Sequence, residues 1–235
     1  FWRASTDNDR GCSFPQRAAV WMGADVFVQR MGFTVQEKSA QCVRVQYRFG
    51  VPGVPGAQGE MIYTVEAQGA LRLDAVYHGV PGAPELPCFG IKFETAAPVV
   101  RTRWTGLSGE TYPDRCKGGV FGCHEEPPHI EPALVPQDCG LHMDTQQVNL
   151  QLADGKTLTL ESTGEAFAFS ALPNTAQQIE AAQHPCELPE TGRTCVTVLG
   201  AARGVGGIDS WGTDVEAPYH VNGEQQHSVS LRILL

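Results

Sequence analysis

The strongest constraint on this chain is a repeated alternation of apolar and polar residues, interrupted by glycine and proline. Cys42–Phe49 puts Val43, Val45, Tyr47 and Phe49 on one face, with arginines opposite. Met61–Ala67 and Ala70–Tyr77 have similar content, and further candidates are Phe89–Thr95, Val99–Trp104, Gln147–Ala153, Thr157–Ser162, Ala166–Ala171, Cys195–Leu199 and His227–Leu234. A period of two makes a strand that buries one face. Many short strands separated by turn residues predict an all-β sandwich of antiparallel sheets.

The connectors support this reading. Gly50-Val-Pro-Gly-Val-Pro-Gly56 mimics a collagen triplet but is far too short to be one, so it reads as a loop between strands. Gly79-Val-Pro-Gly82 is a second loop, and Asp154-Gly155 is a hairpin turn. Two helices are predicted. One runs from Arg17 to Met31, with Val20, Trp21, Ala24, Phe27, Val28 and Met31 on a stripe. The other is capped by Asn174 and runs to about Gln183, with Pro185 beyond it. No linker divides the chain, so residues 1–235 read as one domain.

Net charge is −9, with 17 basic and 26 acidic residues, which excludes the basic footprint of a nucleic-acid binder. No apolar run approaches the roughly 20 residues needed to cross a bilayer. No export signal is visible, and a cytoplasmic location is expected. The eight cysteines form no CxxC pair. They could be disulfides of a secreted protein or free thiols of a cytosolic one. Irregular spacing and the absent export signal favour free thiols.

Two apparent sites weaken on inspection. In Cys123-His-Glu-Glu-Pro-Pro-His129 the histidines are five apart and separated by prolines, so no helix can present them to zinc as a metalloprotease does. The stretch reads as a solvated loop. Gly200-Ala-Ala-Arg-Gly-Val-Gly-Gly207 lacks the ending of a phosphate loop, and its glycines suit a tight backbone path beside a site. No serine nucleophile elbow is present.

Three segments mix aromatic and polar residues as a sugar site does, with flat faces for the ring and hydrogen-bonding groups for its hydroxyls. They are Phe1–Gly11, Gly206–Gly212 around Trp211, and Trp104–Arg115. Each has a plainer reading. Trp211 could plug the core beneath a loop, and Asp114 and Arg115 could pair to pin one.

These segments carry a resemblance. Phe1-Trp-Arg-Ala4 followed by Thr6-Asp-Asn-Asp9 resembles the last domain of large bacterial β-galactosidases of glycoside hydrolase family 2. The run Asp7–Gly11, then Arg17-Ala-Ala19, Trp21 and Ala24-Asp25, is similar to the separately encoded small subunit of heterodimeric members. Glu110-Thr-Tyr112-Pro-Asp114-Arg115 resembles the family's E-x-Y-P-D-R. Pro136-Gln-Asp138-Cys-Gly140 resembles P-Q-E-x-G, with Asp138 in place of Glu. His184, Glu187-Leu-Pro189 and Gly206-Gly-Ile-Asp209-Ser210-Trp211-Gly212 complete the set in order.

The resemblance implies a galactose mutarotase-like supersandwich with one or two short helices. It implies a part in hydrolysing terminal β-D-galactose by the retaining route, with two glutamates on a (β/α)₈ barrel elsewhere. No barrel pattern is present, so the isolated chain is expected to be inactive. The implied partner is a β-galactosidase large chain or barrel domain, the ligands are galactosides, and homo-oligomers of the assembly are compatible with this. No cofactor is implied for this chain, and Mg and Na are expected in the barrel part.

By the same resemblance Trp211 reaches the active-site mouth and stacks on sugar, with Asp209 and Ser210 orienting its loop. Gly11, Cys12 and Ser13 lie on a loop at the same mouth, with Gly11 as its hinge. Glu110, Tyr112, Asp114 and Arg115 form a structural motif. Departures are Ile208, where the family has Asp, and Ala202-Arg203-Gly204, where it has Gln-Met-Gly. Members also carry more chain before the F-W-R-A segment, so the first strands of the domain are expected to be missing and a sheet edge left for another segment or a partner to cover. Two alternatives stand beside this reading. One is a stand-alone carbohydrate-binding module. The other is an aldose epimerase using His78, His142 or His220 with glutamates.

Overall fold

The computed structural model describes residues 1–128 and 130–234. Its strands are β1 (Gln29–Lys38), β2 (Cys42–Gly50), β3 (Gln58–Glu66), β4 (Leu71–Tyr77), β5 (Cys88–Glu94), β6 (Val99–Leu107), β7 (Phe121–Glu126), β8 (His142–Thr145), β9 (Gln147–Leu152), β10 (Thr157–Ser162), β11 (Phe167–Leu172), β12 (Cys195–Ala202) and β13 (His227–Leu234). The helices are α1 (Asp7–Gly11), α2 (Phe14–Arg17) and α3 (Ala176–Ala181), with short 3₁₀ turns at Ala19–Trp21, Pro185–Glu187 and Ala217–Tyr219. Among the described residues, one sheet has nine strands in the order β1-β2-β3-β4-β13-β10-β9-β6-β7, and the other has four in the order β5-β12-β11-β8. Every pairing is antiparallel. The all-β expectation holds, and each strand predicted from alternation is found.

The main core lies between the sheets. Leu73, Tyr77, Val148, Leu150, Leu160, Val229 and Leu231 of the large sheet meet Phe89, Ile91, Phe167, Phe169, Val196 and Val198 of the small one. β11 is buried at all six positions. Its second face is covered by a third layer of irregular chain: Ala168 packs with Tyr112, Leu141 and Val205, and Leu172 packs with Ala4, Cys139 and Ile179. That layer is built largely from the segments that carry the resemblance.

The large sheet outruns the small one. The cross-strand row Val35–Val45–Tyr63–Leu73–Leu231 lies on one face. Leu231 is 0% exposed and Leu73 6%, yet Val35 is 51% and Phe33, beside it on β1, 54% exposed. The pattern is core-like throughout, and only the cover runs out. A groove of about 580 Å³ lies there, lined by Tyr47, Met61 and Tyr63 on one side and by Phe89 and Ile91 of β5 on the other. β1 and β5 are the outer strands of their sheets at this end.

Three expectations change. The Arg17–Met31 helix is replaced by the end of α2, a 3₁₀ turn and the start of β1. Trp21 and Ala24 are buried as the stripe required, but Val26, Phe27, Val28 and Met31 are exposed. Gly23 and the β-branched Val20, Val26 and Val28 weaken a helix here, and pairing of β1 with β2, through a bulge between Arg30 and Gly32, overrides the periodicity. The second helix is capped by Thr175, whose hydroxyl accepts Gln178 N–H at 3.2 Å; Asn174 donates instead to Pro189 O at 2.8 Å. The Cys123–His129 stretch is not wholly loop, because residues through Glu126 form β7 against β6. His129 itself lies outside the described residues.

Candidate functional site

The chain enters the Trp211 loop from the end of β12, and Asp114 receives it. The Asp114 carboxylate accepts Val205 N–H at 2.9 Å and Gly206 N–H at 2.8 Å. Arg115 donates to Gly206 O. A Cβ on Gly204 would meet Asp114 Cγ at 2.7 Å, so glycine there permits the close approach. Asp114 and Arg115 also pair with each other at 3.6 Å, so the pinning pair is present, and it anchors the Trp211 loop as well as its own segment.

The rest of the E-x-Y-P-D-R segment holds the P-Q-D-C-G segment. Tyr112 OH donates to Asp138 at 2.8 Å, and Glu110 accepts Gly140 N–H at 2.5 Å. Burial, opposed by the nearby Arg3 charge, pushes the Asp138 carboxyl up to about 6. Gln137 and Pro136 then reach α1: Asp7 N–H donates to Gln137 Oε1 at 2.8 Å and Arg10 to Pro136 O at 3.0 Å.

At the loop tip, Trp211 is 91% exposed. This excludes the core-plug reading. Asp209 orders the turn beneath it, accepting Trp211 N–H at 2.9 Å, Thr213 N–H at 3.2 Å and the Thr213 hydroxyl at 2.5 Å. Those bonds to Thr213 and Trp211 hold the Asp209 carboxyl below its usual range. Ser210 is exposed on the same turn. Asp209 therefore shapes the loop.

The Gly11–Ser13 turn lies against the same loop. Its helix α1 is closed by a capping box in which Thr6 and Asp9 exchange bonds. Gly11 ends the helix, and the left-handed residue is Ser13 with φ 57°. Gly11 has no positive φ of its own. A Cβ on Gly11 would sit 3.9 Å from Gly212 Cα, an ordinary contact, so the glycine this approach requires is Gly212, whose own Cβ would lie 2.6 Å from Gly11 O.

Sequence reasoning missed the groups that join these parts. Arg203, noted only as a departure, is 0% exposed. It donates to Glu85 at 2.6 Å, to Asp9 at 3.0 Å and to Asp214, and its guanidinium carbon sits 3.8 Å from the Phe14 ring centroid. Arg3 donates to the other side of Asp9 at 2.6 Å. Burial raises the Asp9 carboxyl, but the Arg3 charge together with the hydrogen bonds from Arg3 and Thr6 outweighs it and the net shift is downward. A buried arginine has no sequence signature. The only available hint was a short run holding Asp209, Asp214 and Trp211 between glycines.

The other candidates stay apart. His78 faces Glu60, His142 faces Glu126 and His220 faces Glu85. His142 lines a cavity with Glu110, Glu126 and Glu131, but its volume is about 60 Å³, against about 300–1,000 Å³ for sites that enclose small molecules. Among the described residues no group of His, Cys, Asp and Glu is arranged to hold a metal ion, and no helix is long and apolar enough to cross a membrane. The eight cysteines are free thiols.

With the geometry in place, the chain can be set beside known proteins. It is 40% identical to the Latilactobacillus sakei "Beta-galactosidase small subunit", over 99% of this chain and 83% of that protein. It is 32% identical to a Streptococcus thermophilus "Beta-galactosidase", over 99% of this chain but 23% of that longer protein. Among solved structures, an Escherichia coli K12 protein titled a putative aldose 1-epimerase matches at TM-score 0.43 and 14% identity, over 86% of this chain and 67% of that one. The family described as "Beta galactosidase small chain" matches residues 1–233. The chain therefore belongs to the β-galactosidase small-chain family.

Proposed function

We propose that this chain completes the active-site mouth of a β-galactosidase whose catalytic carboxylates are supplied by a large chain or barrel domain. Trp211 is the platform. Its indole stacks on the apolar face of a galactoside, and the Gly11–Ser13 turn borders the same opening. The supporting observation is a fully exposed tryptophan on a loop anchored to the body at both ends. Exposing so large an apolar ring costs solvation unless a ligand or partner covers it. Aromatic stacking and a few polar contacts are how a sugar ring is gripped. The chemistry proposed for the assembled enzyme is retaining hydrolysis of terminal β-D-galactosides, with nucleophile and acid/base glutamates on the barrel. The isolated chain then hydrolyses nothing. Free thiols fit a cytoplasmic setting.

The test is Trp211→Ala in the enzyme assembled with its large chain. A platform that binds ground and transition states alike predicts KM for an aryl galactoside rising about tenfold or more, with kcat changed less. Trp211→Phe should recover part of the loss. Unchanged kinetics in Trp211→Ala, or full lactose hydrolysis by the large chain alone, would sink the reading.

A further inference from the structure

We propose that Asp214 is a positioning residue: it latches the exit of the Trp211 loop to the Gly11–Ser13 turn, and the buried Arg203 guanidinium holds that latch in register. The inference rests on the reading of Trp211 as a sugar platform.

The loop needs such a latch. Gly206, Gly207 and Gly212 all have positive φ, so the segment is rich in residues whose backbone entropy opposes a single conformation. Asp209 orders the tip from within, and among the described residues its hydrogen bonds stay inside residues 209–213. Asp114 ties only the entry, at Val205 and Gly206.

Asp214 ties the exit. Its Oδ2 accepts Arg17 at 2.5 Å, and its Oδ1 accepts Arg203, Val215 N–H at 2.8 Å and the Cys12 thiol at 3.7 Å. Cys12 belongs to the Gly11–Ser13 turn and Arg17 ends α2, so one carboxylate joins the Trp loop to that turn and to the helix that follows it. Burial raises the Asp214 carboxyl, but Arg17, the Val215 N–H and Arg203 outweigh it and hold it ionised.

The two arginines differ in kind. Arg17 is about half exposed and can swing away. Arg203 cannot: its remaining donors face Glu85 and Asp9, and its flat side rests on Phe14. A fixed donor fixes its acceptor. The direction in which Trp211 is presented is thereby referred to α1, α2 and the end of β12 rather than to the loop's own glycines.

The experiment uses Asp214→Ala, with Asp214→Asn as a second variant and Asp214→Glu as the conservative rescue. Asp214 is 31% exposed, so its removal leaves the core intact. Of the four tryptophans, Trp2, Trp21 and Trp104 are buried, so exposed-tryptophan emission reports Trp211. In time-resolved anisotropy, Asp214→Ala should enlarge a nanosecond component that vanishes in Trp211→Phe, and Asp214→Glu should shrink it again. In the assembled enzyme, Asp214→Ala should raise KM about tenfold with kcat changed less than about threefold. In a Trp211→Ala background it should add less than about twofold. Unchanged anisotropy in both Asp214→Ala and Asp214→Asn overturns the latch. So does full additivity with Trp211→Ala. If Trp211→Ala alone leaves KM unchanged while the anisotropy responds as expected, the latch stands and the sugar reading falls.

Discussion

A Cβ placed on Gly212 would lie 2.6 Å from the carbonyl oxygen of Gly11. Two loops far apart in sequence thus meet backbone to backbone, at a separation only glycine allows. Gly212 also has φ +77°, where any other residue costs about 1–2 kcal/mol. Gly212→Ala should therefore displace the Trp211 loop. The expected readout in the assembled enzyme is a KM for aryl galactosides raised about tenfold, with the melting temperature lowered by only a few degrees. The reverse substitution is informative. A Cβ on Gly11 meets nothing nearer than Gly212 Cα at 3.9 Å, so Gly11→Ala should leave the melting temperature within about 2 °C. A large destabilisation by Gly11→Ala would show that the turn needs glycine for its own conformation.

Asp114 gives a second prediction. Its carboxylate is 5% exposed and accepts two backbone N–H groups at the entry to the loop. A hydrogen bond to a charged acceptor contributes about 1.5–3 kcal/mol, and losing it leaves the N–H groups buried without a partner. Asp114→Ala should lower stability by about 3 kcal/mol, or roughly 6–12 °C for a chain of this size. Amide exchange at Val205 and Gly206 should accelerate with it. Normal protection at those two amides would mean that Asp114 does not anchor the loop.

The strands were legible because alternation survives in a sheet that buries one face, and the row from Val45 to Leu231 shows it. β1 was not, because Trp21, Ala24, Phe27 and Met31 happen to fall at helical spacing; only the pairing with β2 decides the matter. β7 was hidden by Gly122 and by charges that an edge strand can tolerate. At the site, Trp211, Asp209 and Asp114 were readable as residues in a motif. Their joining through Arg203 and Asp214 was not, because an ion pair between an arginine just past β12 and a loop carboxylate eleven residues on has no local pattern. The Gly11 expectation shows the limit well. Gly11 was noticed, but the position that requires glycine is its neighbour in space, Gly212.

Asp138 predicts a pH dependence with a definite sign. Its carboxyl is raised in the fold from 3.8 to about 6, chiefly by burial. Between those values the folded chain holds a proton that the unfolded chain has lost. Folding therefore loses stability as pH rises from about 4 to 6, at up to about 1.4 kcal/mol per pH unit, and changes little above that. Asp9 and Asp214, both lowered, act in the opposite sense at lower pH. The difference between Asp138→Asn and the parent isolates the effect. The variant should gain on the parent steadily from pH 4 to 6, then hold the advantage to pH 8. Parallel melting curves across that range would contradict the assignment.

The uncovered face of the large sheet makes the last prediction, a contrast between two phenylalanines. Phe169 on β11 is 0% exposed and packs against Trp104 and His142 at centroid distances of 6.0 and 4.9 Å. Phe33 on β1 is 54% exposed, its ring against Tyr47 and Arg30. Phe169→Ala leaves a cavity between the sheets and should cost about 3–5 kcal/mol. Phe33→Ser leaves none. It removes an aromatic contact and a cation–π contact at an exposed position, worth about 1–2 kcal/mol together. It should also reduce binding of a hydrophobic dye, because the apolar surface beside the Tyr47–Tyr63 groove shrinks. Denaturant melts and dye titrations on the two variants separate these outcomes. If Phe33→Ser proved as damaging as Phe169→Ala, the ring would have to be covered in solution, and the exposed face of β1–β3 would be buried in the working protein.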